Sequence, residues 1–246
     1  MKLFLIIHKL LILLVMLIAA GCVSKSYLGS SIAPRSIAVV GVAVAPGVKP
    51  GKSQTAMALE FQQLIHQNDG YKTLRSSEVS KAMNSVTPGS YNALVDNYSR
   101  NGALHPNDLQ ALVSARLPVQ LALIARVEKN EVKPGELKRL QLRNNAGDLL
   151  TDRERRVLST VREMQMQASM INMATGAIVW SRTYRSAPTT ESSYIHYSGS
   201  SFSGSLAASL ANTMTNGLRV PAGPLPPSNQ LTLRSLMREV IRNLPQ

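Results

Sequence analysis

Cysteine chemistry in this 246-residue chain is confined to one position, Cys22. It follows three small residues, Ala19-Ala20-Gly21, and an unbroken apolar run from Leu10 to Leu17, with Lys2 and Lys9 nearer the amino terminus. Positive charge, a short apolar stretch and a small-residue box make a cleavable export signal. The run is shorter than the roughly 20 residues a spanning helix needs, and His8 and Lys9 prevent its extension toward the amino terminus. A sole cysteine allows no internal disulfide, so packing must hold the exported domain together.

The other reactive side chains do not assemble into a catalytic pattern. Pro46 to Ser53 reads PGVKPGKS, a GKS between a strand and a helix, where a phosphate loop would sit. The first glycine of that motif would fall on Pro46, and Pro50 removes an amide that should cradle phosphate. Three histidines remain after the leader, His66, His105 and His196, and none has a partner at metal-ligand spacing. There is no Gly-x-Ser-x-Gly elbow, and acids are sparse outside charged loops, so nucleophilic and paired-carboxylate catalysis both lack a candidate. The expectation is a protein that binds rather than catalyses, with no metal.

Charge indicates what it could bind. Lys and Arg number 27 against 14 Asp and Glu, a formal net charge of +13; removing the leader takes Lys2 and Lys9, leaving 25 against 14, or +11. Such a balance favours polyanions. Nucleic acid is the usual partner of a strongly basic chain, but an exported protein does not meet the chromosome, so anionic lipid, wall polymers and acidic protein surfaces are the expected partners. Two stretches could carry the contact. Lys129 to Arg156 is rich in Lys and Arg with little apolar periodicity, and supplies Arg143, Arg153, Arg155 and Arg156; Ser186 to Ser205 is Ser/Thr-rich and supplies Tyr194, His196 and Tyr197. The first reads as an exposed excursion and the second as a loop.

The elements that must position these residues follow from periodicity. Ser36 to Val44, SIAVVGVAV, is a continuous β-branched run suited to a strand covered on both faces. Ser53 can cap a helix carrying Met57, Phe61, Leu64 and Ile65, with Gly70 as its stop. Tyr71 to Leu74 reads as a short strand, and Ser76 as the cap of a second helix with Val79 and Met83. Helices are expected around Tyr91 to Tyr98, ended by Gly102, and after Pro106, and then a strand over Leu117 to Val127. Thr160 to Asn172 places Met164, Met166, Ala168 and Met170 on one face and Gln165, Gln167 and Ser169 on the other, as a half-buried strand requires. A turn at Met173 to Gly176 should return it as an antiparallel hairpin with Ile178, Trp180 and Tyr184. A short helix is expected at Leu206 to Met214. The last helix, capped by Thr232, carries an apolar stripe of Leu233, Leu236, Met237, Val240, Ile241 and Leu244 opposite Arg234, Arg238 and Arg242. The fold class is thus α/β (α+β), a mixed β-sheet with packed helices. The leader is 1–21, a Ser-rich tether 22–35, and a single domain 36–246, with a basic insertion at 129–156 and a Ser/Pro-rich segment at 186–227.

The leader resembles that of bacterial lipoproteins, although Ala19 stands where that family usually has leucine. The resemblance implies that Cys22 becomes the first mature residue, bearing diacylglycerol on its sulfur and a fatty acyl chain such as palmitate on its amine. It implies no other cofactor. Val23, where inner-membrane lipoproteins carry aspartate, implies a lipid anchor in the outer membrane, with the domain facing the periplasm. The order of elements, with SIAVV leading and MINMATGAIVWSRTY late, is similar to the periplasmic α/β module of CsgG-type secretion lipoproteins, the TolB amino-terminal domain and LpoB-type activators. That likeness implies a non-enzymatic outer-membrane lipoprotein that binds envelope proteins and assists assembly of an envelope machine or surface structure. A peptidoglycan-synthase activator and a subunit of a CsgG-like homo-oligomeric pore are the alternatives.

Overall fold

The computed structural model describes residues 35–67, 71–199, 202–216 and 223–245, all within a compact unit spanning Pro34–Gln246. Cys22, the tether and Gly70 lie outside the described residues. Seven strands and six helices occur among those described. The strands are β1 (Arg35–Val44), β2 (Tyr71–Leu74), β3 (Leu121–Pro134), β4 (Lys138–Arg143), β5 (Leu149–Asn172), β6 (Ile178–Ser186) and β7 (Thr189–Tyr197). The helices are α1 (Gln54–His66), α2 (Ser76–Val86), α3 (Ser90–Asn101), α4 (Pro106–Ser114), α5 (Phe202–Asn216) and α6 (Asn229–Arg242).

The sheet is mixed, as expected. β1 pairs in parallel with both β2 and β3, and β5 pairs antiparallel with β3, β4, β6 and β7. The apolar run of β1 is buried on both faces. Ile37, Val39 and Val42 enter the core formed with α1 and α6, while Ala38, Val40 and Ala43 enter a second core beneath α2, α3 and α4. A bulge between Val39 and Gly41 accounts for the switch from odd to even positions. Met164, Met166, Ala168 and Met170 of β5 join the α1/α6 core, as their alternation predicts. The opposite face is drier than its composition suggests: Ser169 is buried, 3.5 Å from the Tyr98 hydroxyl and 2.9 Å from Ser181 Oγ.

The late hairpin forms with Met166 opposite Tyr184 and Met170 opposite Trp180. Its turn is closed by Asn172, whose Oδ1 accepts from Ala174 N at 2.8 Å, and by Gly176 at φ 71°. Ser53 caps α1, accepting from Ala56 N at 3.2 Å. Two other expected caps are corrected. Arg75 occupies the cap of α2, with its amide bonded to Glu78, and Ser76 is the first helical residue. Ser228 caps α6, whereas Thr232 is buried in the first turn and donates to Ser228 O at 2.8 Å.

The largest corrections concern the two polar stretches. Residues 129–156 are exposed or half-buried, yet most are strand: β3 continues past Val127 to Pro134, β4 follows, and β5 begins at Leu149 rather than Thr160. Ser186 to Ser205 is not loop throughout, because Thr189 to Tyr197 forms β7 and α5 starts at Phe202. The registers explain why. β3 and β4 lie along one edge of β5, and β6 and β7 along the other. Residues 121–197 therefore form a ladder three strands wide, in which β3, β5 and β6 build one end into the body and β4, β5 and β7 continue the other as an arm. At about 3.3 Å per residue, the 24 residues of β5 extend for roughly 80 Å.

Candidate functional site

The arm gathers residues that lie far apart in sequence. Its tip is a turn in which Asn144 Oδ1 accepts from the amides of Ala146 and Asp148, both at 2.9 Å, and Gly147 takes φ 92°. Arg143 donates to Gly147 O at 2.6 Å, which holds its guanidinium against this turn. Behind the tip, β5 is flanked by β4 and β7, so every second β5 residue shares a face with a partner from each neighbour.

On one face Arg156 stands opposite both Arg139 and Tyr194, and Glu154 opposite Gln141 and His196. Glu154 Oε1 receives Arg156 Nε at 2.7 Å. That hydrogen bond is the main reason the Glu154 carboxyl lies below its ordinary range, and Arg139 and His196 add to it. Arg156 is partly desolvated, but hydrogen bonds with Glu154 and Tyr194 outweigh that loss and raise its pKa. The His196 imidazole is pushed below 6.5, first by partial burial and then by repulsion from Arg156 and Arg139. Like charges directly opposite across a sheet are unfavourable, so Arg139 and Arg156 leave this face with a surplus of positive charge that one carboxylate only partly offsets.

On the other face Arg153 sits 5.7 Å from the centroid of the Tyr197 ring, within cation–π range. Arg155, beside Leu140 and Ile195, is exposed and has no ion pair among the described residues. α5 closes the end of β7: the Asn212 side chain both accepts from Tyr197 N and donates to Tyr197 O, each at 2.9 Å. Leu206, Leu210 and Met214 form an exposed stripe along that helix.

Residues singled out from composition thus come together on three adjacent strands, but the two-residue repeat divides them. Arg153, Arg155 and Tyr197 lie on one face; Arg156, Tyr194 and His196 lie on the other, and Arg143 is at the tip. Arg139 was not among the sequence candidates; the signal was available in Arg139 to Arg143, where polar residues alternate with Leu140 and Leu142. Where arm meets body, Glu163 gathers Lys129, Lys133 and Arg185 at 3.1, 3.2 and 2.8 Å. Hydrogen bonds from Lys129 first, then Lys133, lower its pKa.

Among the described residues no cluster of His, Cys, Asp or Glu could hold a metal ion, and no helix is long and apolar enough to cross a membrane. No protein-family model matches the sequence, and neither does any curated protein. Solved structures similar to this chain include bacterial lipoproteins. The LpoB carboxy-terminal domain from Salmonella enterica is 11% identical with a TM-score of 0.36, over 63% of this chain and 83% of that one. Lipoprotein GNA1162 from Neisseria meningitidis is 17% identical with a TM-score of 0.32, over 74% and 99%. A minor lipoprotein from Acinetobacter baumannii is 6% identical with a TM-score of 0.30, over 86% and 91%.

Proposed function

We propose that this chain is a non-enzymatic envelope lipoprotein, held at the outer membrane through acylated Cys22, whose β-arm docks other envelope proteins through acidic surfaces. The observation that carries the reading is the arm itself. Its strands continue those of the body, so Arg153, Arg155, Arg156, Tyr194, His196 and Tyr197 are presented on a platform already ordered before any partner arrives. Pre-ordering reduces the entropic cost of association, and arginine with tyrosine is the composition of interface anchors. The anchor adds proximity, since tethering raises effective concentration for neighbours on the same membrane.

The docked protein is then either a component of an envelope machine or surface structure, or a peptidoglycan synthase whose rate rises saturably with added protein. A pore-forming subunit would need one face of its spanning hairpin to be apolar over about 25 Å. The arm carries Arg153 and Arg155 on one face and Glu154 and Arg156 on the other, which disfavours that alternative. The test is photo-crosslinking in cells from positions 140 and 197, which share the Arg155 face. Envelope proteins should be captured, and R155E should remove the captures while changing stability by no more than about 0.5 kcal/mol. Captures unaffected by R155E would refute the docking face. In parallel, Cys22→Ser should release the folded protein from the membrane fraction; unchanged attachment would refute the anchor.

A further inference from the structure

β2 is short, and its pairing with β1 ends at Ala38 opposite Leu74. Beyond that point the β2-side edge of β1 opens into a cleft of about 300 Å³ between α1 on one face of the sheet and α2 and α3 on the other. It is a crevice beside the carboxyl-terminal half of a parallel strand, where open α/β sheets leave room for ligands. Gly41 lines it; a Cβ there would stand 3.4 Å from the Tyr91 hydroxyl and 3.8 Å from Val95 Cγ2, narrowing the space.

Three helices begin at this cleft. In α1 the cap Ser53 engages Ala56 and Met57, leaving the amides of Gln54 and Thr55 without a partner among the described residues. In α2 the carbonyl of Arg75 engages Glu78 and Val79, leaving those of Ser76 and Ser77. In α3 the amides of Ser90, Tyr91 and Ala93 are engaged and that of Asn92 is not. All five residues bearing these free first-turn amides line the cleft. Ser76 supplies an independent sign: it is only 9% exposed, lines the cleft, and its hydroxyl makes no hydrogen bond among the described residues. Helix amino termini favour negative charge, and unpaired amides beside the hydroxyl of a buried serine are donors awaiting acceptors. The lining holds no Lys or Arg, and contains one carboxylate, Asp96. A bare anion would meet that carboxylate unfavourably, whereas an oxyanion that also bears a donor would satisfy both ends.

We propose that this cleft binds a small carboxylate carrying a hydrogen-bond donor, of which a zwitterionic α-amino acid is the simplest: carboxylate on the amides of α1, α2 and α3 with Ser76, ammonium toward Asp96. The site is separate from the arm and does not depend on it. The probes are L-alanine, acetate and inorganic phosphate, titrated into the full chain in detergent micelles while amide resonances are followed. L-Alanine should shift the five amides saturably, about tenfold more tightly than acetate or phosphate. Asp96→Asn should erase that preference. Ser77→Asp puts a carboxylate in the first turn of α2, where the helix tolerates it well; it should abolish binding without loss of folding. Absence of a saturable shift with any probe, equal response to alanine and acetate, or binding that survives Ser77→Asp would each overturn the proposal.

Discussion

Replacing Gly135 with alanine tests whether the arm is held by close backbone pairing. Gly135 sits at the joint between β3 and β4, where its amide donates to Ser159 O at 2.8 Å. The Ser159 hydroxyl in turn donates to Glu136 O at 3.1 Å. A Cβ on residue 135 would overlap Ser159 Oγ and stand 2.9 Å from its Cβ and 3.3 Å from its carbonyl carbon. Ser159 cannot retreat, because β7 pairs it with Glu191 from the other edge. Overpacking of this kind costs about 1–3 kcal/mol, and loss of the Glu136 hydrogen bond adds about 1 kcal/mol, so the joint should lose about 2–4 kcal/mol. The damage should stay local, since the arm can open without the body. Hydrogen exchange reads it directly: β4 amides should exchange about 30-fold to 700-fold faster, at tenfold per 1.4 kcal/mol, while β1 and β2 keep their protection. Ser159→Gly removes the two worst contacts and should restore most of the protection in the double variant. Unchanged β4 exchange in Gly135→Ala, or no recovery on adding Ser159→Gly, would refute the steric argument.

Two further outcomes follow from the body and its charges. Leu236 is fully buried between α6 and the sheet, and Leu236→Ala should lower unfolding stability by about 3–5 kcal/mol in urea, with all elements of the body melting together. Acid should act in two stages. His196 is pushed below 6.5, so the folded state binds fewer protons than the unfolded chain and stability falls as pH drops through that value; His196→Gln should flatten this stage. Glu163, Glu131 and Glu154 are all held below 4.5 by cationic partners, so their contribution is complete above 4.5 and is lost as pH falls through their folded values. Glu163→Gln should weaken the second stage in a pH series of urea melts, and an unaltered acid limb would contradict the assignment.

The body was legible because burial writes itself into the sequence. β1 is covered on both faces and is therefore continuously apolar; Met164 to Met170 alternate because one face meets α1 and α6; the α6 stripe repeats because one side of that helix is dry. The arm was not legible for the complementary reason. Over Arg153 to Arg156, with Arg155 exposed on one face and Glu154 and Arg156 on the other, no two-residue hydrophobic period exists to be read, and Thr189 to Tyr197 resembles a polar loop. Strand formation there is imposed by backbone pairing to β5, helped by Thr, Tyr and Ile, whose shapes suit a pleated surface. The cleft was hidden for a third reason, since Gln54, Ser76 and Asn92 become neighbours only once three separate helices start at one place.

That dependence on β5 also explains how so polar an arm can be ordered. A lone hairpin in water is marginal, and strands without a buried face lack the term that usually sustains them. Val157 is the only hydrophobic residue buried among the described positions of the β4–β5–β7 segment distal to Val161. Yet β5 enters the arm already fixed over Met164 to Ile171 by two packed cores, and both flanking strands arrive in register from β3 and β6. The entropy of aligning three chains is thereby met within the body, and each further backbone pair adds to an existing ladder rather than nucleating one. Continuity of one strand is what lets the surface of the arm be given over to arginine, histidine and tyrosine instead of a core.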